Sequence, residues 1–163
     1  MMSAIEPRTL TLCASLNSLP VLGEQLRRFF APLALEESWI FMLDLALCEA
    51  ATNIIRHGYR QDRGKSYVVT MAIEEACALV TLRDSGEPIP AALLNTAAAP
   101  PAPAQEADDA EIALALLSES GRGLRLIHDC VDDVSYRQTQ GENCLTLIKR
   151  LPASVSGTAS AQT

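Results

Sequence analysis

Three small groups of residues in this chain have types and spacing that chemistry can use. Glu49, Asn53 and His57 recur every four residues in the segment CEAATNIIRHG, so on a helix they form a sloping row along one edge. A solvated helix face has the same spelling. Asn53 is the odd member, because its amide competes for the backbone in a helix interior and so hints at a role beyond propensity. The second group, Asp84-Ser85-Gly86, ends an apolar run. An aspartate there can accept a hydrogen bond from an exocyclic amino group such as that of adenine, and a glycine two residues on leaves room for a flat base; an ordinary Asp-Gly turn reads identically. The third, Ser120-Gly121-Arg122-Gly123, runs directly into a helical pattern at Leu124. Glycine turns that open a helix aim backbone N–H groups at an anion, and the helix dipole adds to the attraction.

Positioning these groups requires elements that the hydrophobic pattern supplies. Thr9 to Ser15 is β-prone, and Ser18 through Phe30 has helical periodicity, with Ser18 as N-cap and Pro20 in the first turn. From Glu36 to His57, the residues Ile40, Leu43, Leu47, Ala50 and Ile54 fall on one stripe. That predicts a long helix, ended by Gly58 in a left-handed conformation. Lys65 to Glu74 and Cys77 to Arg83 predict an antiparallel hairpin turning near Glu75. A short helix is expected from Glu111 to Leu117, another from Leu124 to about Val131, and two last strands at Val134 to Arg137 and Asn143 to Arg150. This order segregates helices from paired strands and predicts an α+β, two-layer sandwich with a mostly antiparallel sheet.

Length and composition bound the rest. One domain is expected over residues 1–151, followed by a small polar tail over 152–163. Apolar residues at 48% place the chain among folded globular proteins rather than disordered ones. Between Asn95 and Asp109 the sequence turns to Ala, Pro and acidic residues, which bury little apolar surface, so a lid is expected over about 88–120. A net charge of −7 argues against a broad basic face for nucleic acid. Cys13, Cys48, Cys77, Cys130 and Cys144 stand alone without a CxxC pair and read as reduced core residues. No run approaches the ~18 apolar residues of a membrane span, and a reducing cytoplasm fits both features.

Taken together, order and spacing resemble the Bergerat-type ATP-binding domain of gyrase, heat-shock protein 90 and sensor histidine kinases. LALCEAATNIIRHGY resembles its N box, LRDSGEPIP its first glycine box, and SGRGLRLIHDCVDDVSY with GENCLTLIK its second. The likeness spans roughly Leu10 to Arg150. Within that superfamily the small form with Glu-x-x-x-Asn-x-x-x-His and Pro88 after the Asp-x-Gly is similar to bacterial anti-sigma factors that are also serine/threonine kinases.

The resemblance implies roles. Asn53 matches an asparagine that helps hold magnesium on the ATP phosphates, and Glu49 matches the proposed general base. Asp84 matches the adenine reader; Gly86, Gly121 and Gly123 match lid and phosphate contacts, with Arg122 and Leu124 beside them; His57 matches a supporting position. The implied protein binds ATP and magnesium, sequesters a sigma factor, and phosphorylates an anti-anti-sigma antagonist in a partner-switching pathway. It would be a cytoplasmic homodimer with no direct contact to nucleic acid or membrane. One departure stands out: Glu119 occupies a position where some relatives carry an arginine for the terminal phosphate, and Arg122 between the glycines is the substitute at hand. Without such a substitute the chain would be a nucleotide-gated module that captures a transcription factor and transfers no phosphate.

Overall fold

The computed structural model describes residues 5–98 and 119–153. The expected helix from Glu111 to Leu117, most of the expected lid and the tail from 154 onward lie outside the described residues. Five strands, β1 (Arg8–Cys13), β2 (Ser66–Glu74), β3 (Cys77–Asp84), β4 (Asp133–Thr139) and β5 (Glu142–Arg150), form one sheet in the order β1-β2-β3-β5-β4, each pair antiparallel. Four helices are described, α1 (Ser18–Phe30), α2 (Glu37–Asn53), α3 (Ala91–Ala98) and α4 (Glu119–Cys130). The sandwich is therefore the α+β one that the pattern predicts.

Strand alternation decides which sheet face is covered. Tyr67, Val69 and Met71 of β2, Ala78, Val80 and Leu82 of β3, and Leu145 and Leu147 of β5 are buried at every second position. They meet Leu22, Leu26, Phe29 and Phe30 of α1, the α2 stripe, and Leu124 and Ile127 of α4. The opposite face carries threonines, with Thr9 beside Thr70 (3.2 Å) and Thr81 beside Thr146 (3.3 Å). Both hairpins turn through left-handed residues, Glu75 and Ala76 in one and Gln140 and Gly141 in the other, as two-residue turns require.

The α2 stripe is buried as its spacing predicts: Ile40, Leu43, Leu47, Ala50 and Ile54 are each at most 7% exposed. The end of that helix differs from expectation. The chain leaves α2 through a π turn, Ile54–Gly58, and the left-handed residues are Arg60 and Gln61, not Gly58. Together α2 and this turn are long and apolar enough to span a bilayer by length and composition, with mean hydropathy 1.4. A count of unbroken apolar residues overlooks this, yet half of that window is buried beneath the sheet, as in a core helix.

Two smaller corrections follow from packing. Ser18 does not cap α1; it is buried, donating to the Ser15 carbonyl (2.8 Å) and accepting from the Tyr67 hydroxyl (2.7 Å). The first part of the segment expected to be a lid forms α3, whose Leu93 and Leu94 amides donate to the Pro90 carbonyl. Of the cysteines only Cys130 is buried, and Cys13 is exposed on edge strand β1.

Candidate functional site

Helix α2 presents its polar edge where the core stripe ends. Asn53 is 7% exposed, and among the described residues its Nδ2 has no hydrogen-bond partner. One turn earlier, Glu49 is partly buried. Cys48 beside it is pushed up to about 12, by burial and then by Asp44, so its thiol stays protonated and does not compete as a base. His57 lies on the π turn and is exposed. Such turns place consecutive side chains differently from a regular helix, and they recur at functional sites.

Asp84 arrives from the sheet. It ends β3 directly opposite Asn143 of β5, and its Oδ1 accepts from Asn143 Nδ2 (3.0 Å) and from the Gly86 amide (2.9 Å). Asn143 Nδ2 also donates to the Gly86 carbonyl (2.9 Å), which pins the turn. Among the described residues Oδ2 carries no hydrogen bond, so it remains available to an incoming amino group. Burial raises the Asp84 carboxyl above the ordinary aspartate range; the Asn143 and Gly86 hydrogen bonds oppose that rise and Glu142 adds to it.

Gly86 has a different reason from the one its spacing suggests. A Cβ there would lie 2.5 Å from the carbonyl carbon and oxygen of Gly58, and the Glu87 amide donates to that same oxygen (2.8 Å). The glycine lets the Asp84 turn lie flat on the end of the π turn. Asn53, His57, Gly58, Asp84, Ile89 and Tyr136 then line a cavity of about 340 Å³, with Arg60 and Glu87 ion-paired at 2.7 Å on its wall. A second cavity, of about 440 Å³, holds Glu49 with Thr52, Arg122 and Gly123. Arg56 lines both.

Helix α4 corrects the reading of the second glycine group. Gly121 and Gly123 do not form a turn ahead of the helix; they lie within its described span, Glu119–Cys130. Leu124 itself is a core residue, 2% exposed. Gly123 is small for a packing reason: a Cβ would lie 2.7 Å from Glu49 Oε2 and 3.8 Å from Asn53 Nδ2. A helix interior disfavours glycine by about 1 kcal/mol relative to alanine. The close approach of α4 to the Glu49 carboxylate accounts for its presence here.

Magnesium can be tested against these side chains. Among the described residues no group of three His, Cys, Asp or Glu could hold a metal ion. A hard cation that brings phosphates and water as ligands needs only one or two protein oxygens. Asn53 fits that demand, since its buried amide has an unpartnered end and a half-turn about χ2 would present Oδ1 in the same place.

Asn143, Tyr136, Tyr59 and Arg56 were not singled out by the sequence reading. The Tyr136 hydroxyl accepts from the Ile89 amide (2.9 Å) and the Tyr59 hydroxyl from the Ser85 amide (2.7 Å), so two tyrosines hold the loop after β3. Asn143 left a usable signal: it occupies an inward position of β5, in step with Leu145 and Leu147, where an amide needs partners.

Comparisons with known proteins agree with the fold. Residues 12–149 match a family described as the histidine kinase-like ATPase domain. No curated protein matches. The fold is similar to the crystal structure of the RsbU and RsbW domains of Rv1364c from Mycobacterium tuberculosis, with a TM-score of 0.60 and 21% sequence identity. The likeness covers 90% of this chain and 32% of that one, so this chain spans about a third of that protein's length.

Proposed function

The chain belongs to the histidine kinase-like ATPase domain family, and on that premise we propose that it binds ATP with magnesium and transfers the terminal phosphate to a serine or threonine of an antagonist protein. While that antagonist is phosphorylated, the chain sequesters a sigma factor. It acts in the cytoplasm as a homodimer. The RsbW domain in the similar structure, and the likeness of the Glu49, Asn53, His57 row to small anti-sigma kinases, support this reading.

One observation carries the catalytic part: the Glu49 carboxylate stands one helical turn before the buried Asn53 amide, its Oε2 2.7 Å from where a Cβ on Gly123 would lie. Asp84 Oδ2 accepts from the adenine amino group, which directs the phosphates toward Asn53. Magnesium, when bound there, neutralises charge on the phosphates. Glu49 takes the proton of the acceptor hydroxyl as its oxygen bonds to the terminal phosphorus; the bond from that phosphorus to the bridging oxygen breaks, and ADP leaves with the electron pair.

The test is Glu49→Gln, assayed for ATP affinity by calorimetry and for transfer by mass spectrometry of antagonist proteins. Retained binding with transfer lowered by at least about a hundred-fold is expected for a lost base. Undiminished transfer would remove Glu49 from the mechanism, and binding without transfer in the native chain would favour the nucleotide-gated module.

A further inference from the structure

The carboxylate assigned to proton removal does not line the cavity that contains Asp84. It faces the second one, formed where the β1–α1 connection, the outer edge of α2 and helix α4 meet. From this geometry we propose that the second cavity receives the acceptor: a serine- or threonine-bearing segment with an aliphatic side chain next to the hydroxyl and a carboxylate nearby. The proposal rests on the kinase reading above and specifies its substrate.

Access comes first. A nucleotide whose base sits at Asp84 and whose phosphates reach Asn53 fills the first cavity, and a hydroxyl must then approach Glu49 from elsewhere. The second cavity opens on that carboxylate, and Arg56 is the described residue common to both walls, marking where the terminal phosphate and the hydroxyl would meet.

The lining then states what fits. Leu16, Leu19 and Leu126 are partly buried and leave an aliphatic surface at the cavity. Burying a methylene or two of a partner there is favourable at roughly 25 cal/mol per Å². Arg122 is exposed on the same wall, and its charge favours an acidic neighbour over a basic one.

The experiment incubates the full chain and ATP–magnesium with a positional-scanning library of serine- and threonine-containing peptides, reading phosphate incorporation, beside calorimetry of ATP alone. Native protein is expected to prefer peptides with an aliphatic neighbour and a nearby Asp or Glu. Arg122→Glu is expected to reverse the acidic-over-basic preference by about ten-fold. Leu19→Ala, compared with the native chain at matched folded fraction by circular dichroism because Leu19 also packs on the core, is expected to flatten the aliphatic preference. Incorporation indifferent to neighbours, or an Arg122→Glu protein with native selectivity, overturns this assignment and leaves the kinase reading standing. A uniform fall across all peptides together with weaker ATP binding in Arg122→Glu also overturns it, by placing Arg122 on the nucleotide. ATP binding by the native chain with no peptide phosphorylated overturns both.

Discussion

Asp84 and Asn143 are cross-strand partners, and the amide of the second donates to Oδ1 of the first at 3.0 Å while also holding the Gly86 carbonyl. The pair converts a strand register into a fixed carboxylate with one oxygen occupied and the other, among the described residues, without a hydrogen bond. In the proposed function Oδ2 is the oxygen that reads the base, while Oδ1 holds the turn through the Gly86 amide.

Asp84→Asn should therefore separate binding from stability. ATP affinity is expected to fall by at least about ten-fold, with preference for ATP over GTP reduced, because the free oxygen no longer carries charge. The melting temperature at neutral pH should stay at or above the native value. Burial raises the Asp84 carboxyl, so the native fold binds more protons than the unfolded chain between the ordinary aspartate value and the raised one. This contribution makes native stability fall as pH rises through that window, and the variant lacks it. Thermal melts across acid pH that show no convergence of the two proteins would refute the burial argument.

Gly86→Ala tests the contact between the Asp84 turn and the π turn. Both atoms met at 2.5 Å are backbone, so neither can swing aside. A loss of roughly 2–3 kcal/mol or more is expected in urea unfolding. A loss under about 0.5 kcal/mol, the range of surface changes, would show that the turn has slack.

Gly123→Ala is the converse case. The nearest atom is the end of the flexible Glu49 side chain, which can move, and alanine gains about 1 kcal/mol of helix propensity. Stability should hold or rise. Phosphate transfer should fall with ATP affinity little changed, since the carboxylate is displaced; unaltered transfer would mean that its observed position is not the working one.

Asn53→Ala should lower magnesium-dependent ATP affinity by at least about ten-fold while changing magnesium-free affinity little. Calorimetry with and without magnesium separates the two. Equal losses in both conditions would make Asn53 a packing residue rather than a metal ligand.

The sandwich was legible because its two periods are local. Ile40, Leu43, Leu47, Ala50 and Ile54 repeat as a helix does, and the strands alternate, so burial of one face followed from spacing alone. Glu49 and Asn53 were legible as a row for the same reason, and Asp84 as a polar residue ending an apolar run. Asn143 was missed as a partner because its meaning depends on register with β3, which no stretch of its own sequence contains.

What the sequence determined by itself was the set of elements, their amphipathic faces and the chemical types at Glu49, Asn53 and Asp84, since these depend on neighbours within a turn or a strand. What only the tertiary structure decided was close approach. Gly58 is not left-handed, Arg60 and Gln61 are, and Gly86 packs on the Gly58 carbonyl. Gly121 and Gly123 lie inside α4 rather than ahead of it, and Gly123 is small because Glu49 lies against it. Glycine's freedom of conformation and its lack of a side chain have the same spelling, and only the atoms brought near it from distant segments distinguish them.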